Sequence, residues 1–327
     1  MKLGLLATHQ FAPGDDIRSR LDELWELTRQ AENAEFDGVF AMQHFVGNLV
    51  TPQTISMVGR LIEITTSMTV GTSIMILPAY HPVHIAEEFA TLDHLSGGRV
   101  LLGVGAGYRR NEFRALNIDK DARFAQMAES ISVIRKLWSG EPVVHDGRFY
   151  HLDGDTIGVP PLRPGGPPIW LGGGGETTIR RAARLADAWI APGNAPKHGW
   201  YEHSMELHDE ALAAAGKSHE GRQHPVIVNL FCAPTDEEAE SKIRPHVEAE
   251  YAAYSEYPQL AFQKEKFQFL WDHRFLIGSP DTIVRKIDTL RERGFDYLIA
   301  RMIWIGAPFA DVLDSLELIR TDVLPRI

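Results

Sequence analysis

The sequence has little of several features that would place it in particular protein classes. It contains one cysteine, Cys232, among 327 residues, which excludes a disulfide framework and a cysteine-based zinc site. Its formal net charge is −11 and no run of Lys or Arg interrupts this, which argues against a nucleic-acid-binding surface. No window of about 18 apolar residues could span a membrane, and the amino terminus lacks a signal-peptide cleavage pattern. We expect a soluble, cytoplasmic protein that binds neither nucleic acid nor membrane.

Metal-binding patterns are also missing, although the chain has 14 histidines. His81 and His84 are close in sequence, and His198, His203 and His208 recur at equal intervals. That interval turns successive side chains by about 140° around a helix, so the three do not share a face. Neither group has the paired histidines and adjacent glutamate of a zinc helix. We expect no metal site.

Short apolar runs alternate with amphipathic segments along the whole chain. Predicted helices, such as Asp16–Phe36, Thr51–Thr65, His84–Leu95 and Asp121–Trp138, separate the runs. The runs predicted to be strands are 3–7, 38–43, 68–77, 99–107, 169–173, 188–192, 226–233 and 297–305. Such alternation indicates an α/β protein with a parallel sheet, either doubly wound or closed. Eight repeats without a Pro/Gly/Ser-rich linker favour one domain, 1–327, folded as a (β/α)8 TIM barrel.

Two segments are longer than a barrel requires, 145–168 and 255–276. The first is rich in Gly and Pro, and long loops of this kind are usually functional. We predict that both are insertion loops at the C-terminal mouth of the barrel and act as lids. The aromatic residues of the second suggest an apolar or flat substrate, and five of them are Tyr257, Phe262, Phe267, Phe269 and Trp271.

The stretch PPIWLGGGGETTIRRAA, residues 167–183, contains four consecutive glycines between a strand and a helix. Glycine is costly in regular structure, so four together indicate either a tight turn or a close approach to the backbone. A phosphate could accept the N–H groups of Gly173, Gly174 and Gly175 at the start of the helix, with the Thr177 hydroxyl and the charge of Arg180 nearby. The alternatives are a loop without a ligand, and competition from the carboxylate of Glu176 for the same helix dipole.

In a TIM barrel the active site lies where the strands end. His44 follows the second strand, where an imidazole suits acid–base catalysis, although a lone histidine is often structural. The third strand leads to Tyr80 and His81, which we interpret as turn residues. The fourth strand carries glycines at 103, 105 and 107, but Tyr108 occupies the place of the third glycine of a dinucleotide fingerprint. We therefore reject a Rossmann site and expect these glycines to make room for a flat ring.

Several ordered motifs together resemble one family. FDGVFAMQHF, the run HPVHIAEEFATLDHLSGGRVLLGVGAGYRRNEFRAL, PPIWLGGGGETTIRRAARLADAWI, and the C-terminal IGSPDTIVRKI and DVLDSLELIRTDVLP are similar to the bacterial luciferase-like flavin monooxygenases. The resemblance covers nearly the whole chain. It implies a (β/α)8 barrel, usually a homodimer, that binds reduced FMN at the C-terminal mouth.

The resemblance also assigns residues. It places the catalytic histidine on His44 and a cis peptide beneath the flavin ring on Ser73–Ile74. The phosphate loop falls on Gly173–Thr177. The strand-four turn that carries a cysteine and a phosphate-binding arginine in luciferase falls on Gly105 and Ala106, so light emission is not implied. Phe45 replaces a second histidine, and Gln-His-Phe partly resembles family members that use the deazaflavin coenzyme F420.

The sequence therefore leads to one main hypothesis and three alternatives. The main hypothesis is a monooxygenase in which a reductase supplies reduced FMN, O2 is the co-substrate and His44 assists proton transfer during oxidation of a small organic molecule. An F420-dependent oxidoreductase would transfer a hydride without oxygen. A non-catalytic flavin-binding subunit would bind flavin without turnover, and an unrelated barrel enzyme would bind a phosphorylated substrate at the glycine loop.

Overall fold

The computed structural model describes residues 1–327, and its strands and helices alternate along the chain. The strands are β1 Lys2–Ala7, β2 Gly38–Ala41, β3 Thr69–Thr72, β4 Met75–Ile76, β5 Val100–Gly105, β6 Val143–Asp146, β7 His151–Asp155, β8 Ile169–Gly172, β9 Ala188–Ile190, β10 Pro225–Cys232, β11 Leu276–Gly278 and β12 Tyr297–Arg301. The helices are α1 Ile17–Asn33, α2 Thr54–Ile64, α3 Pro82–Leu95, α4 Arg110–Ala115, α5 Arg123–Leu137, α6 Glu176–Leu185, α7 Trp200–Ala214, α8 Asp236–Tyr254, α9 Phe262–Glu265, α10 Phe267–His273, α11 Pro280–Glu292 and α12 Phe309–Leu318.

Eight parallel strands close into a barrel in the order β1, β2, β3, β5, β8, β9, β10, β12. β12 pairs with β1 in register from Tyr297 opposite Lys2. The ring closes between β9 and β10 at Ala191, whose N–H donates to the Pro225 carbonyl at 2.8 Å and whose carbonyl accepts the Ile227 N–H at 3.0 Å. The predicted TIM barrel is confirmed. The short strand β11 pairs with the end of β10 outside this ring.

Side chains fill the interior of the barrel. Phe40 and Trp170 stack with their ring centroids 5.8 Å apart, and Tyr297 meets both rings edge-on. Gly4 and Gly38 make room for them, because a Cβ at either position would lie within 2.7 Å of an aromatic atom. The filled interior therefore leaves no room for a ligand inside the barrel. No helix in the structure combines the length and apolarity needed to cross a membrane.

Several element boundaries differ from the sequence prediction, and two of them lie near the mouth of the barrel. The strand predicted over 68–77 is divided into β3 and β4, and the Ser73–Ile74 peptide between them is cis, as the resemblance implies. The helix predicted from Thr51 begins at Thr54. The Thr54 hydroxyl donates to the Met42 carbonyl at 2.6 Å, so a contact with the end of β2 sets where this helix starts.

The first insertion, 145–168, is not a lid at the mouth. It contains most of the antiparallel pair β6–β7 and a loop held by Arg163, whose Nε donates to Asp93 Oδ1 at 2.8 Å. Arg163 also donates to the carbonyl of Val100, the first residue of β5. Residues 160–168, which precede β8 and contact the beginning of β5, lie at the end of the barrel opposite the mouth, whereas Tyr150 packs against His81, the N-cap of α3. None of residues 145–168 lines the main cavity.

The second insertion, 255–276, lies at the mouth as predicted. Phe267 and Trp271 are buried in a small apolar cluster with Phe275 at its centre, so the segment has a core of its own. Among the five aromatic residues named above, Phe262 lines the main cavity. The others pack against protein side chains, and the aromatic content therefore says less about the substrate than expected.

Candidate active site

A cavity of about 600 Å³ opens at the C-terminal ends of the barrel strands. The residues that follow β2, β3, β5, β8 and β9 meet there, so most of the predicted site residues come together. The predicted residues on its wall are His44, Ser73, Ile74, Gly105, Ala106, Gly173, Gly174 and Gly175.

His44 is 8% exposed and faces this cavity. Its Nδ1 lies 2.9 Å from Oε1 of Glu112, and that oxygen also accepts the N–H of Phe45 at 2.9 Å. A carboxylate that accepts both bonds fixes the tautomer with Nδ1–H donating and leaves Nε2 as a free acceptor. Burial lowers the pKa of His44, the hydrogen bond to Glu112 raises it, and the nearby charge of Arg109 lowers it again. The net lowering keeps the imidazole neutral at neutral pH and able to accept a proton.

Gln43 fixes the chain beside His44. Its Oε1 accepts the N–H of Ile76 at 2.8 Å, and its Nε2 donates to the Tyr80 hydroxyl. Burial raises the pKa of Tyr80, so its hydroxyl stays protonated. Tyr80 therefore helps to hold Gln43 in place on the wall of the cavity, in agreement with its interpretation as a turn residue.

Ile74 occupies the space that the glycines of β5 and β8 leave. A Cβ on Gly105 would lie 2.6 Å from Ile74 Cδ1, and a Cβ on Gly172 would lie 2.8 Å from Ile74 Cγ2. The expectation that Gly105 makes room for a flat ring needs correction, because this room holds the Ile74 side chain. Ile74 itself lines the cavity and presents an aliphatic surface to any ring there.

In the glycine loop between β8 and α6, Gly173 and Gly174 have close neighbours, whereas Gly175 has free space around it. Gly173 has φ +146°, and a Cβ there would lie 2.8 Å from Thr178 Cγ2. A Cβ on Gly174 would lie 3.0 Å from Pro192, whereas Gly175 has open space around it. Thr178 N–H bonds back to the Gly175 carbonyl at 2.8 Å. The preceding N–H groups, of Gly175, Glu176 and Thr177, make no hydrogen bond within the protein and are available to an anion.

Thr177 and Arg180 differ from the prediction. Both side chains are exposed and neither lines the cavity, because the first turn of α6 directs Thr178 inward instead. Arg180 lies 3.9 Å from Glu210 on the outer face. The side chain of Glu176 also points outward and lies 3.7 Å from His203, so it does not occupy the anion position.

Arg123, at the start of α5, is the cation that the sequence did not reveal. It lines the cavity together with Phe124, and its guanidinium lies 4.1 Å from the centroid of that ring. Its Nε is buried without a hydrogen-bond partner. Arg181, on α6, lies over the same ring at 5.5 Å. Two arginines 58 positions apart in sequence thus build one basic edge beside the glycine loop, which no local motif could have indicated.

Glu112 was also missed as a functional candidate. It follows the strand-four glycines on α4, and an acidic residue one helical turn past the mouth of a barrel strand is the only signal in the sequence. The side chain is 1% exposed, and burying a carboxylate requires partners of the kind that His44 and Phe45 provide. Its second oxygen, Oε2, has no partner.

Comparison with known proteins agrees with this fold. The model of a family described as luciferase-like monooxygenase matches residues 1–297. The chain is 30% identical to the F420-dependent glucose-6-phosphate dehydrogenase of Mycobacterium tuberculosis over 356 aligned positions, covering 100% of this chain and 98% of that protein.

Two solved structures share the fold. The oxygenating constituent of 3,6-diketocamphane monooxygenase from Pseudomonas putida, in complex with FMN, superposes with a TM-score of 0.83 at 23% identity, covering 100% of this chain and 99% of that one. An F420-dependent secondary alcohol dehydrogenase in complex with an F420–acetone adduct superposes with a TM-score of 0.78 at 20% identity, covering 98% of both chains.

Proposed function

The chain belongs to the luciferase-like monooxygenase family, and we propose that it is an F420-dependent oxidoreductase that acts on a small uncharged alcohol or the corresponding carbonyl compound. The observation that carries the proposal is the buried pair of His44 and Glu112 with Nε2 free at the cavity. The relative at 30% identity is F420-dependent. The main hypothesis from the sequence, an FMN monooxygenase, is therefore replaced by its first alternative.

The residues at the mouth fit a deazaflavin. The group carries a phosphate and a flat tricyclic ring, and the cavity offers a place for each. Free N–H groups at Gly175–Thr177 and the unpartnered Nε of Arg123 suit the phosphate. The aliphatic Ile74 and the Ser73–Ile74 backbone suit one face of the ring.

The protein supplies the proton chemistry in this proposal. When bound, the deazaflavin supplies the two-electron acceptor. Nε2 of His44 accepts the hydroxyl proton of the alcohol, and Glu112 stabilises the imidazolium that forms through the Nδ1–H bond. Tyr108 packs edge-on against His44 with ring centroids 5.8 Å apart, which restricts rotation of the imidazole.

The charge of the cavity argues for an uncharged substrate. Arg123 is the only arginine or lysine on its wall, and it lies beside the glycine loop, whereas Arg181, the second cation of the basic edge, does not line the cavity. If that cation holds the cofactor phosphate, no second one remains for a phosphorylated substrate. We therefore do not expect glucose 6-phosphate, the substrate in the name of the relative, to be a substrate here.

A binding titration tests the cofactor. Oxidised F420 and FMN are added separately to the purified protein, and the change in cofactor fluorescence is followed. The proposal expects F420 to bind at least about tenfold more tightly, a difference of about 1.4 kcal/mol. Equal or tighter binding of FMN would contradict it.

The second candidate is the FMN monooxygenase. The specific observation in its favour is the FMN-bound structure with the TM-score of 0.83, because the same loop and arginine suit the phosphate of FMN. This function would need O2 and a partner reductase. It predicts substrate oxidation that stops when air is removed, whereas the F420 proposal predicts that turnover continues.

A further inference from the structure

A second cleft lies on the other side of Tyr108 from the main cavity, and it is built around a buried arginine. Its volume is about 170 Å³, somewhat larger than a cavity that takes up benzene. The residues that line it are Asn48, Leu49, Arg109, His246, Ala249, Glu250, Ala253, Tyr254, Tyr257 and Ile305.

Arg109 is 2% exposed, and its Nε has no hydrogen-bond partner. No carboxylate of the protein lies within ion-pair distance of its guanidinium, since Arg109 is absent from the salt bridges of the structure. Glu112, one turn along α4, directs its Oε1 to His44 and Phe45 instead. A buried guanidinium without a counter-charge is unfavourable unless a ligand supplies the negative charge and the hydrogen-bond acceptors.

Aromatic side chains surround the arginine, and its Nε–H remains without an acceptor. The guanidinium carbon lies 4.4 Å from the ring centroid of Tyr257, and 5.7 Å from those of Tyr108 and Tyr254. The rings and a hydrogen bond to the Tyr108 side chain stabilise the charge, but they leave Nε–H unpaired. The rings also form apolar walls beside the cation.

Glu250 is the only carboxylate on the wall of the cleft, and it already has a cation. Its Oε1 accepts a hydrogen bond from Arg301 inside the barrel. Arg109 is thus the unmatched charge of the cleft.

We propose that this cleft binds a small carboxylate, with its two oxygens on the guanidinium of Arg109 and its apolar part between the rings of Tyr254 and Tyr257. The planar fork of arginine matches a carboxylate in two parallel hydrogen bonds. The site is separate from the cofactor loop, and its binding can be measured without cofactor, so its test does not depend on the proposed function.

Titration calorimetry with benzoate tests the site directly, and the neutral isostere benzamide is the matched ligand control. The expected result is saturable binding of benzoate and none of benzamide at the same ionic strength. Arg109→Met should weaken benzoate binding about 10–100-fold, the range for a charge-assisted hydrogen bond. Arg110→Met and Arg123→Met should leave it unchanged, because Arg110 lies outside the cleft and Arg123 lines the other cavity.

A second variant tests the same site in case Arg109→Met does not fold. Ala253→Glu adds a carboxylate at an exposed position on the wall of the cleft, where it competes for Arg109, and Ala252→Glu adds the same charge one residue away. Loss of benzoate binding in Ala253→Glu alone is expected. Unchanged binding in Ala253→Glu and Arg109→Met, or no saturable binding in the wild-type protein, would overturn the proposal.

The carboxylate belongs to a molecule other than the uncharged substrate, and steady-state kinetics shows how its site relates to the active site. Once a neutral substrate is turning over, benzoate that raises KM alone shows that the two ligands interfere with each other's binding. Benzoate that changes kcat while KM stays constant identifies a separate ligand. Both outcomes support the site, and only the binding experiment can refute it.

Discussion

Nδ1 of His44 lies 2.9 Å from Oε1 of Glu112, and the N–H of Phe45 donates to the same oxygen. One carboxylate oxygen therefore orients the imidazole and holds the backbone that carries it. This arrangement joins the ends of two barrel strands, β2 and β5, at a single buried point. Because it depends on two segments 68 residues apart, it forms only in the folded barrel.

Replacement of His44 by alanine is expected to lower turnover about 10²–10⁴-fold, the usual contribution of a positioned general base. Cofactor binding should change little, because the phosphate and ring contacts lie elsewhere. Steady-state rates and a fluorescence titration of the same preparation check both parts. Turnover equal to that of the wild-type protein would remove His44 from the mechanism.

Glu112→Gln tests the positioning role of the carboxylate. We expect kcat to fall about 10–100-fold, since one charge-assisted hydrogen bond is lost. Glu112 raises the pKa of His44, so its neutralisation lowers that pKa further and moves the acid limb of the pH–rate profile to lower pH. Glu129→Gln is the matched control, because Glu129 forms a similar pair with His145 away from the site. A rate loss without a shift of the acid limb would indicate a purely structural role for Glu112.

Arg123→Met is expected to weaken F420 binding about 10–100-fold through the loss of one charged contact to the phosphate. The salt dependence of binding should decrease with it, because a cation has been removed. Arg180→Met is the control, since Arg180 faces outward toward Glu210. Equal effects of the two substitutions on the dissociation constant would show that Arg123 does not contact the cofactor phosphate.

The contact between Gly105 and Ile74 predicts a rescue. Gly105→Ala would place a Cβ 2.6 Å from Ile74 Cδ1, and the overlap should lower the free energy of unfolding by about 1–3 kcal/mol. Ile74→Val removes that Cδ1 atom at a cost of about 0.5–1.5 kcal/mol. The double variant should therefore lose less free energy of unfolding than the two single variants lose together. Urea denaturation of the four proteins measures this difference. Additive losses would mean that the two side chains do not compete for this space.

His208 predicts a pH dependence of stability. It is 1% exposed, neither ring nitrogen has a hydrogen-bond partner, and Trp189 stacks on it. Burial, and then the neighbouring His224, lower its pKa from 6.5 to about 4. Between these two pKa values the unfolded chain binds a proton at His208 and the folded chain does not. The contribution of His208 to the free energy of unfolding is therefore present above pH 6.5 and is lost as the pH falls toward 4.

The loss attributable to His208 over this interval is about 3 kcal/mol, at 1.36 kcal/mol per unit of pKa shift. His208→Phe keeps an aromatic ring against Trp189 and removes the titration, so its free energy of unfolding should change less between pH 7.5 and 5, values chosen to straddle the unfolded pKa of about 6.5. The exposed His151→Gln serves as the control. Identical pH dependence of His208→Phe and the wild-type protein would refute this assignment.

The barrel was predictable because its signals are local. Each strand is a short apolar run, and the alternation with helices determines the parallel sheet whatever the loops do. The position of the insertion 145–168 was not predictable in the same way. Its placement depends on Arg163 reaching Asp93, a contact 70 residues distant in sequence.

The residues of the candidate site likewise fall into those with a local signal in the sequence and those without one. His44 and the glycines could be proposed from the sequence because strand ends and glycine runs are visible there. Thr177 was chosen over Thr178 because the direction of a side chain in the first turn of α6 depends on how that helix packs. Glu112 and Arg123 were missed because nothing in the sequence shows that folding buries the carboxylate beside His44 and places the guanidinium on the wall of the cavity.

The most direct test of the proposed function is an anaerobic assay with oxidised F420 and a series of neutral secondary alcohols, with glucose 6-phosphate alongside. The proposal predicts that the visible absorbance of the deazaflavin is lost with a neutral alcohol, and that glucose 6-phosphate has no effect. Admission of air should leave the rate unchanged. A requirement for FMN and O2, with no reduction of F420 by any alcohol, would contradict the proposal and establish oxygen chemistry in its place.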